Sequence, residues 1–179
     1  MIKKILLLLV IAIAVICVLA SRKPDEMIVT RTATIAAPPE TVFKVVNDFR
    51  QWDAWSPWNK DDPNMKKTLD GPPEGVGAIY KWSGNMAVGE GTNTMVESKP
   101  NEKIVMKLDM TKPMEGTSDV QFTFVPEGSG TKVTWSMQGK QPFIGKVMSL
   151  FMDCEKMCGD QFNQGLANLK QLVEAAPKA

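Results

Sequence analysis

Near the N-terminus the chain has one long apolar run, whereas the rest of the chain alternates short apolar and polar stretches. MIKK carries two lysines and precedes an unbroken apolar run of 16 residues, Ile5 to Ala20. At about 1.5 Å per residue, a helix of this run is about 24 Å long, short of the ~30 Å hydrocarbon core of a bilayer unless the flanking lysines extend to its surface. The apolarity favours a membrane anchor, and the short run with small Ala20 before Ser21 favours a cleaved signal peptide. We expect an anchor in residues 1–21, with a signal peptide as the alternative, and a linker in residues 22–27.

The next segment changes from the spacing of a strand to the spacing of a helix. In IVTRTATI, residues 28–35, two sets of side chains alternate and β-branched residues are frequent, which predicts a strand. Two prolines end the strand, and the second, Pro39, suits the first turn of a helix. The spacing of three continues through Phe49, Trp52 and Trp55 and predicts a second short helix that stops before a further proline. The apolar side of the first helix consists of Val42, Val45, Val46 and Phe49.

Residues 65–138 consist of short strand-like runs separated by turn sequences. In TSDVQFTFVP, Val120, Phe122 and Phe124 occupy every second position, which is the spacing of one face of a strand. Turn sequences such as DGPPEG and EGSG separate the runs. Six runs joined by short turns predict an antiparallel meander, to which residues 28–35 add a seventh strand. The predicted strands are MKKTL, VGAIYKW, GEGTNTMVES, KIVMKLDM, TSDVQFTFVP and TKVTWSMQ.

The last patterned segment predicts one long C-terminal helix. Its apolar residues recur at steps of three or four and form one stripe along a helix of up to about 33 residues. Gly159 and Gly165 fall within this helix and could kink or thin it. We expect residues 143–173 to lie across the concave face of the sheet. The stripe consists of Ile144, Val147, Phe151, Cys154, Cys158, Phe162, Leu166, Leu169 and Val173.

The order of these elements resembles the helix-grip superfamily, which contains the birch pollen allergen, START lipid-transfer domains and the polyketide cyclase/dehydratase-like proteins. Within it, the chain resembles the bacterial polyketide cyclase-like group through IAAPPETVFKVVNDFRQWDAWSPW, GVGAIYKWSG and PFIGKVMSLFMD. The resemblance covers about residues 28–175. It implies an α+β fold in which a seven-stranded antiparallel sheet wraps around a long C-terminal helix, with two short helices after strand 1. It also implies a cavity for a lipid, sterol, polyketide or other apolar molecule.

The composition narrows the chemistry that is available. The chain has 21 basic and 20 acidic residues and a formal net charge of +1. Because no basic face is available to neutralise a phosphate backbone, we expect no nucleic-acid partner. The chain contains no histidine, which removes the commonest general base and a typical zinc ligand. We expect no cofactor, no metal ion and a monomer.

Three of the five tryptophans lie in DFRQWDAWSPWNK, residues 48–60. This segment has four interpretations: packed core, a membrane-surface patch, a platform for stacking sugars or bases, and the wall of a ligand pocket. The balanced charge weakens base stacking, while neighbouring aspartates keep a sugar platform open. Packing is the strongest interpretation because indoles bury large apolar areas wherever they occur. A pocket wall is the second, with Trp55 and Trp58 as its members because Pro57 fixes the chain between them.

A few other side chains are candidates for chemistry. Cys154 and Cys158 are four residues apart on the predicted helix, near several methionines, and soft sulfur ligands bind copper(I). Both belong to the apolar stripe, where Cys behaves as a small hydrophobe, so we interpret them as core or pocket lining. Strand alternation could turn Glu90 and Asp109 inward, where a desolvated carboxylate has a raised pKa and can act in proton transfer; a solvated position is the favoured alternative. Tyr80 could offer its hydroxyl to a ligand.

Three functions remain open. Non-catalytic binding or transport of a small hydrophobic ligand, such as a lipid, a polyketide-like molecule or an isoprenoid, is favoured because the chain has no histidine and no carboxylate pair stands out for proton transfer. The alternatives are a polyketide cyclase/dehydratase-like enzyme and a protein-interaction module that uses the aromatic segment. No catalytic residue is predicted. We expect the domain on the periplasmic side of the membrane, or free in the periplasm if the N-terminal segment is cleaved. The predicted ligand-binding residues are Trp55, Trp58, Tyr80, Trp82, Glu90, Met106, Phe122, Trp135, Met148 and Met152.

Overall fold

Seven strands form one antiparallel sheet, which is the framework of the fold. The computed structural model describes residues 2–175, and its strands are β1 (Glu26–Ile35), β2 (Lys66–Asp70), β3 (Ile79–Ser83), β4 (Glu90–Lys99), β5 (Lys103–Lys112), β6 (Gly116–Glu127) and β7 (Gly130–Lys140). Strands β2 to β7 form a meander, and β1 joins it beside β7, in the order β1-β7-β6-β5-β4-β3-β2. The predicted meander and its seventh strand are confirmed.

Alternation along the strands gives the sheet one apolar face. Phe122 of β6 pairs with Trp135 of β7, and Phe124 pairs with Val133. All four side chains are buried. Because directly paired residues of neighbouring strands point to the same side of a sheet, they belong to one continuous surface. The helices pack on this side, which we call the inner face.

Three short helices connect β1 to β2, and a short and a long helix follow β7. They are α2 (Pro39–Asn47), a 3-10 helix (Phe49–Ala54), α3 (Trp58–Asp61), α4 (Phe143–Met148) and α5 (Cys154–Ala175), and an N-terminal helix, α1 (Ile2–Ser21), precedes the sheet. Pro39 occupies the first turn of α2, as its fixed φ angle favours. The second predicted helix is the 3-10 helix, and Pro57 begins a further single turn, α3, that the spacing did not predict.

The C-terminal segment is two helices, so the prediction of one continuous helix over residues 143–173 is wrong in its first third. The α4–α5 loop, residues 149–153, separates them. The chain tightens after α4, where the Leu150 N–H donates to the Val147 carbonyl oxygen at 3.1 Å. The Asp153 carboxylate then accepts the Lys156 backbone N–H at 3.0 Å. This contact is the arrangement of a helix N-cap, so Asp153 starts a new helix.

Helix α5 lies across β1 and also contacts α2 and the 3-10 helix. The approach to the sheet is close at Gly165, where a Cβ atom, if one were present, would lie 2.7 Å from the Trp135 ring. Only a residue without a side chain fits there. One turn earlier, the Phe162 ring stacks on Trp135 with centroids 4.1 Å apart. The prediction that the C-terminal helix packs on the inner face is confirmed for α5.

Helix α1 is apolar and almost entirely exposed. Within residues 2–175 it is the helix that is long and apolar enough to cross a membrane, a property that membrane anchors and signal sequences share. Its 20 residues correspond to about 30 Å at about 1.5 Å per residue. Only its last turns touch the rest of the protein, where Ile16 is half-buried and Ala20 is fully buried. The element that α1 contacts is α4.

Candidate functional site

Part of the inner face is filled by an aromatic cluster, which we define as Phe49, Trp52, Trp55, Tyr80, Phe122, Trp135 and Phe162. Trp55 is 1% exposed, and its ring centroid lies 5.0 Å from that of Trp52 and 5.7 Å from that of Trp135. Phe122 stacks on Trp135 at 4.8 Å. Edge-to-face and stacked contacts at these distances are those of a packed core. This cluster closes the half of the inner face that lies under α5.

Asp48 holds the 3-10 helix that carries Trp52. Its Oδ1 accepts the Arg50 backbone N–H at 2.9 Å and the Arg50 Nε at 2.7 Å, and its Oδ2 accepts the Arg50 Nη2 at 2.8 Å. Burial by itself would raise the pKa of Asp48, but the hydrogen bonds from Arg50 outweigh it and hold the pKa below its usual value of 3.8. The Trp52 Nε1 donates to the Val46 carbonyl oxygen at 2.9 Å. This residue is therefore held by its backbone in the 3-10 helix and by the hydrogen bond of its ring nitrogen.

The other half of the inner face is only partly covered, and we call it the open half. One row of residues crosses the sheet there through successive pairs, from β3 to β1. All members of the row except Tyr80 are half-buried. Two small residues, Ser118 and Gly139, lie side by side in it, and a Cβ atom at Gly139, if one were present, would lie 2.1 Å from the Ser118 Oγ. The row consists of Tyr80, Asn93, Leu108, Ser118, Gly139 and Met27.

The rim of the open half is also apolar. Trp58 of α3, Trp82 of β3 and Cys158 of α5 are partly buried and pack against the core. The Trp58 ring lies 5.7 Å from Trp135 and 6.5 Å from Phe162, measured between centroids, so Trp58 is at the boundary between the two halves. Burial raises the pKa of the Cys158 thiol to about 11, so this thiol stays protonated at neutral pH. Cys154 and Cys158 are free cysteines.

A few buried polar atoms face this apolar surrounding without a hydrogen-bond partner among residues 2–175. They are the indole Nε1 atoms of Trp55 and Trp135 and the side-chain Oδ1 of Asn93. Leaving such a group unpaired costs roughly 1–3 kcal/mol, so each one needs a physical reason. Asn93 is the one that belongs to the row of the open half. Burial also raises the pKa of Tyr80, its neighbour in the row, so that the hydroxyl remains a hydrogen-bond donor.

A groove of about 450 Å³ opens at the Met27 end of this row. Its walls are residues 23–24 of the linker, Gln141 and the α4–α5 segment 149–155. Volumes of about 300–1,000 Å³ are typical of pockets for small molecules. A second groove, of about 1030 Å³, runs along the ends of β5, β6 and β7, and Ser118 and Gly139 of the row belong to its wall, which is otherwise mainly charged and polar. We call the first the mouth groove because it adjoins the inner face.

The predicted ligand-binding residues fall into three groups. The buried inner face holds Trp55, Tyr80, Met106, Phe122 and Trp135. Trp58 and Trp82 are partly buried beside it. Met148 is half-buried in α4, and Met152 is exposed in the mouth groove.

Glu90 is not brought to the inner face. Its carboxylate accepts hydrogen bonds from Ser83 at 3.1 Å and Lys112 at 3.0 Å, on the side of the sheet opposite to Trp82. The hydrogen bond from Lys112 lowers the pKa of Glu90, the reverse of the inward, desolvated alternative. Asp109 also points outward and accepts the Thr117 hydroxyl at 2.6 Å. Both carboxylates therefore take the solvated alternative.

The row contains residues that the sequence did not identify, namely Met27, Asn93, Leu108, Ser118 and Gly139. The pairing of β4 with β5 has register shifts at Glu90/Gly91 and Met95/Glu97. A bulge changes which side chains face inward on either side of it, so strict alternation could not assign this strand. In β5, by contrast, Met106 and Leu108 follow simple alternation, and that signal would have found Leu108.

Comparisons with known proteins were made on sequence and on structure. The family model described as polyketide cyclase / dehydrase and lipid transport matches residues 26–174. Among solved structures, the fold is similar to protein CV1439 from Chromobacterium violaceum, at 18% identity and a TM-score of 0.61 over 86% of this chain and 100% of that one. It is also similar to Ara h 8.0201, at 12% identity and a TM-score of 0.58 over 84% of this chain and 99% of that one. The di-domain ARO/CYC BexL from the BE-7585A biosynthetic pathway has 16% identity and a TM-score of 0.61 over 89% of this chain and 53% of that one. Similarity at these identities shows the fold alone. No curated protein matches the sequence.

Proposed function

Because the chain belongs to the polyketide cyclase/dehydrase and lipid transport family, we propose that it binds or transports one small, mainly apolar molecule in the open half of the inner face. The observation that carries this proposal is the row across the sheet, in which the half-buried apolar residues Leu108 and Met27 flank the two small residues Ser118 and Gly139. The aromatic cluster forms the floor at one end, and the mouth groove gives access at the other.

Burial of apolar surface supplies the affinity in this proposal. A ligand that removes about 250 Å² of apolar surface from water gains about 6 kcal/mol at about 25 cal/mol per Å². Losses of translational and rotational freedom offset part of this gain, so this area alone gives an affinity no tighter than about 40 μM, and tighter binding needs more buried area or polar contacts. The half-buried side chains Met27, Leu108 and Trp82 are those that a ligand would cover.

Specificity is proposed to come from the polar groups of the row. The Asn93 amide has an unpaired buried oxygen, and Tyr80 offers a protonated hydroxyl beside it. A ligand hydroxyl can donate to the Asn93 oxygen and accept from the Tyr80 hydroxyl, and a ligand carbonyl or carboxylate oxygen can accept from Tyr80, whereas a pure hydrocarbon would leave both groups unpaired. The proposed ligand is therefore apolar with one polar end, as a fatty acid, an isoprenoid alcohol or a polyketide-like molecule is.

A polyketide cyclase-like enzyme is the alternative function. Proton transfer needs a carboxylate, lysine or similar group within hydrogen-bond reach of the substrate. On the strands, the inner-face positions between Met27 and Gly139 carry no carboxylate. The two cations at these positions are already in ion pairs, Arg31 with Glu155 and Lys67 with Asp53. This arrangement supports binding over proton-transfer chemistry.

We also propose that α1 stays attached as a membrane anchor and that the sheet domain lies on the exported side. The supporting features are its length of about 30 Å and its exposed apolar surface on all sides. The intact mass of the protein purified from membranes, together with protease accessibility of the domain in spheroplasts, tests both parts. A mature N-terminus near Ser21 would contradict the anchor, and protection from protease would contradict export.

A titration of the full chain in detergent micelles with a fluorescent fatty acid tests the ligand site. Leu108→Lys places a charge in the row, and we expect it to weaken probe binding at least ten-fold. Val105→Lys is the matched control, because Val105 is also half-buried on β5 but faces the opposite side of the sheet. Equal probe affinity of the two folded variants would contradict the proposed site, and no binding by the unmodified protein would contradict the proposed function.

A further inference from the structure

The exposed phenylalanines of the fold lie in one short segment of the chain, residues 143–151. Five of the seven phenylalanines are at most 6% exposed, whereas Phe143 is 51% and Phe151 is 72% exposed. These two lie at the start of α4 and in the α4–α5 loop. Ile144 and Met152 beside them in sequence are exposed as well. We call Phe143, Ile144, Phe151 and Met152 the α4 patch.

A cluster of exposed large apolar residues needs a partner. Scattered single apolar residues are normal on protein surfaces, but a local group of them marks an interaction with a protein, a membrane or a ligand. The α4 patch also borders the mouth groove, because Phe151 and Met152 form part of its wall. Whatever covers the patch therefore lies next to the entrance of the proposed ligand site.

The position of α1 identifies what covers the patch. Ala20 is the last residue of the apolar run, and it is fully buried where α1 contacts α4. If α1 spans a bilayer, its last turn lies at the boundary between the acyl chains and the headgroups. Helix α4 then lies at the same depth, with Phe143 and Ile144 exposed on it. Aromatic side chains are favoured at this interfacial depth.

The linker keeps α4 at this depth. From Ser21, the last residue of α1, to Glu26, the first of β1, there are five residue steps, which span at most about 18 Å when fully extended. The linker is also tied to the region around α4. Asp25 forms an ion pair with Lys146, and its carbonyl oxygen accepts the Gln141 N–H at 2.8 Å. The patch therefore cannot move far from the end of α1.

The charges around the patch suit a lipid surface. Arg22 and Lys23 follow α1 directly, at the level of the lipid headgroups. The neighbouring carboxylates are engaged within the protein: Asp25 with Lys146, Asp153 with the N-terminus of α5, and Glu155 with Arg31. Basic residues next to exposed phenylalanines are the composition of an interfacial membrane-binding surface.

We infer that the α4 patch is embedded in the interfacial layer of the same bilayer that α1 spans, so that the mouth groove opens towards lipid. This inference rests on the proposed function and on α1 as an anchor. It narrows the ligand to a molecule that is dissolved in the membrane, such as a lipid or an isoprenoid, and that enters the open half without crossing water.

Depth-dependent quenching in nanodiscs tests the embedding. The full chain, with Cys17, Cys154 and Cys158 replaced by Ala, receives a nitrobenzoxadiazole label at Phe143→Cys, in a bilayer of phosphatidylcholine and phosphatidylglycerol. The control label is at Met86→Cys, which is 83% exposed in the turn between β3 and β4. We expect doxyl-labelled lipid to quench the label at position 143 several-fold more strongly than it quenches the label at position 86, and iodide to show the reverse order. Equal quenching of the two labels by iodide would overturn the inference. Protection from both quenchers in a preparation that contains two copies per disc would also overturn it, in favour of a contact between copies.

Ligand entry from the lipid phase is tested by a charged variant of the patch. Phe143→Asp combined with Ile144→Asp changes α4 without altering a residue of the mouth groove. We expect uptake of a pyrene-labelled fatty acid from the nanodisc lipids to slow at least ten-fold, while binding of the same probe added in micelles stays unchanged. Val125→Asp, an exposed position on β6, is the control. Unchanged uptake in the double variant would refute the lipid route and leave the proposed function standing, whereas loss of binding by the unmodified protein in micelles would refute the proposed function itself.

Discussion

The two central tryptophans should respond differently to truncation because they lie on opposite sides of the boundary between the closed and open halves. Trp55 is 1% exposed and touches three other aromatic rings. A buried indole removes about 150–250 Å² from water, which at about 25 cal/mol per Å² corresponds to about 4–6 kcal/mol before relaxation. We therefore expect Trp55→Ala to lower the free energy of unfolding by about 3–5 kcal/mol.

Trp58 should contribute less to stability and more to binding. It is only partly buried and packs against Trp135 and Phe162 with one side of its ring. About half of the apolar area is then buried, and Trp58→Ala should cost about 1.5–3 kcal/mol. Because Trp58 forms part of the rim of the open half, the same change should weaken the binding of an apolar probe about three- to ten-fold.

Urea denaturation of the full chain in micelles, followed by circular dichroism at 222 nm, measures the first quantity without depending on tryptophan fluorescence. Titration with a fluorescent fatty acid measures the second on the folded variants. Equal destabilisation by the two changes, with unchanged probe affinity for Trp58→Ala, would show that Trp58 is part of the core and that the boundary is misplaced.

Further changes test the supporting contacts. Asp48→Asn should lower the free energy of unfolding by about 1–2 kcal/mol above pH 5. Because the pKa of the Asp48 carboxyl is lower in the folded state than its usual 3.8, this loss of stability is fully present above pH 5 and disappears as the pH falls through the folded pKa. Equal losses at pH 3 and pH 7 in urea titrations would contradict the prediction. In a variant whose only cysteine is Cys158, this thiol should react with iodoacetamide at pH 8 roughly 100-fold more slowly in the folded than in the unfolded chain, because burial raises its pKa from 9.0 to about 11. Similar rates in the two states would contradict its burial. Gly165→Ala should lower the free energy of unfolding by about 1–3 kcal/mol because the new methyl group meets Trp135. The control Ala167→Gly, at an exposed position of α5, should lower it by no more than about 1 kcal/mol. A loss for Gly165→Ala smaller than that of the control would show that α5 can shift.

Sequence patterns predicted the sheet and missed one break in the C-terminal helix. The alternation of apolar and polar residues, as at Val120, Phe122 and Phe124, is strong because one side of each strand is buried. The strands could therefore be predicted from this alternation. The apolar spacing of three and four continues from Val147 to Cys154 across the α4–α5 loop, so periodicity alone could not show the break. The signal that was present is Asp153, whose side chain caps α5.

The site was less predictable because its geometry depends on contacts between distant segments. The distinction between Trp55 and Trp58 depends on how closely α5 approaches Trp135 at Gly165, which no local spacing encodes. Asn93 was missed because its strand is mostly polar and interrupted by bulges, so that its inner side has no apolar signature. The predicted apolar stripe continues into α4, but Ile144 on this stripe is exposed, and the main contact of α4 is with α1.

Native mass spectrometry of the full chain, released from membranes under mild conditions, tests the central claim most directly. We expect the protein to carry one small apolar molecule from the membrane, to lose it in Leu108→Lys, and to retain it in Val105→Lys on the opposite side of the same strand. A protein that carries no molecule after incubation with a total lipid extract, or one that retains it equally in Leu108→Lys, would contradict a ligand site in the open half.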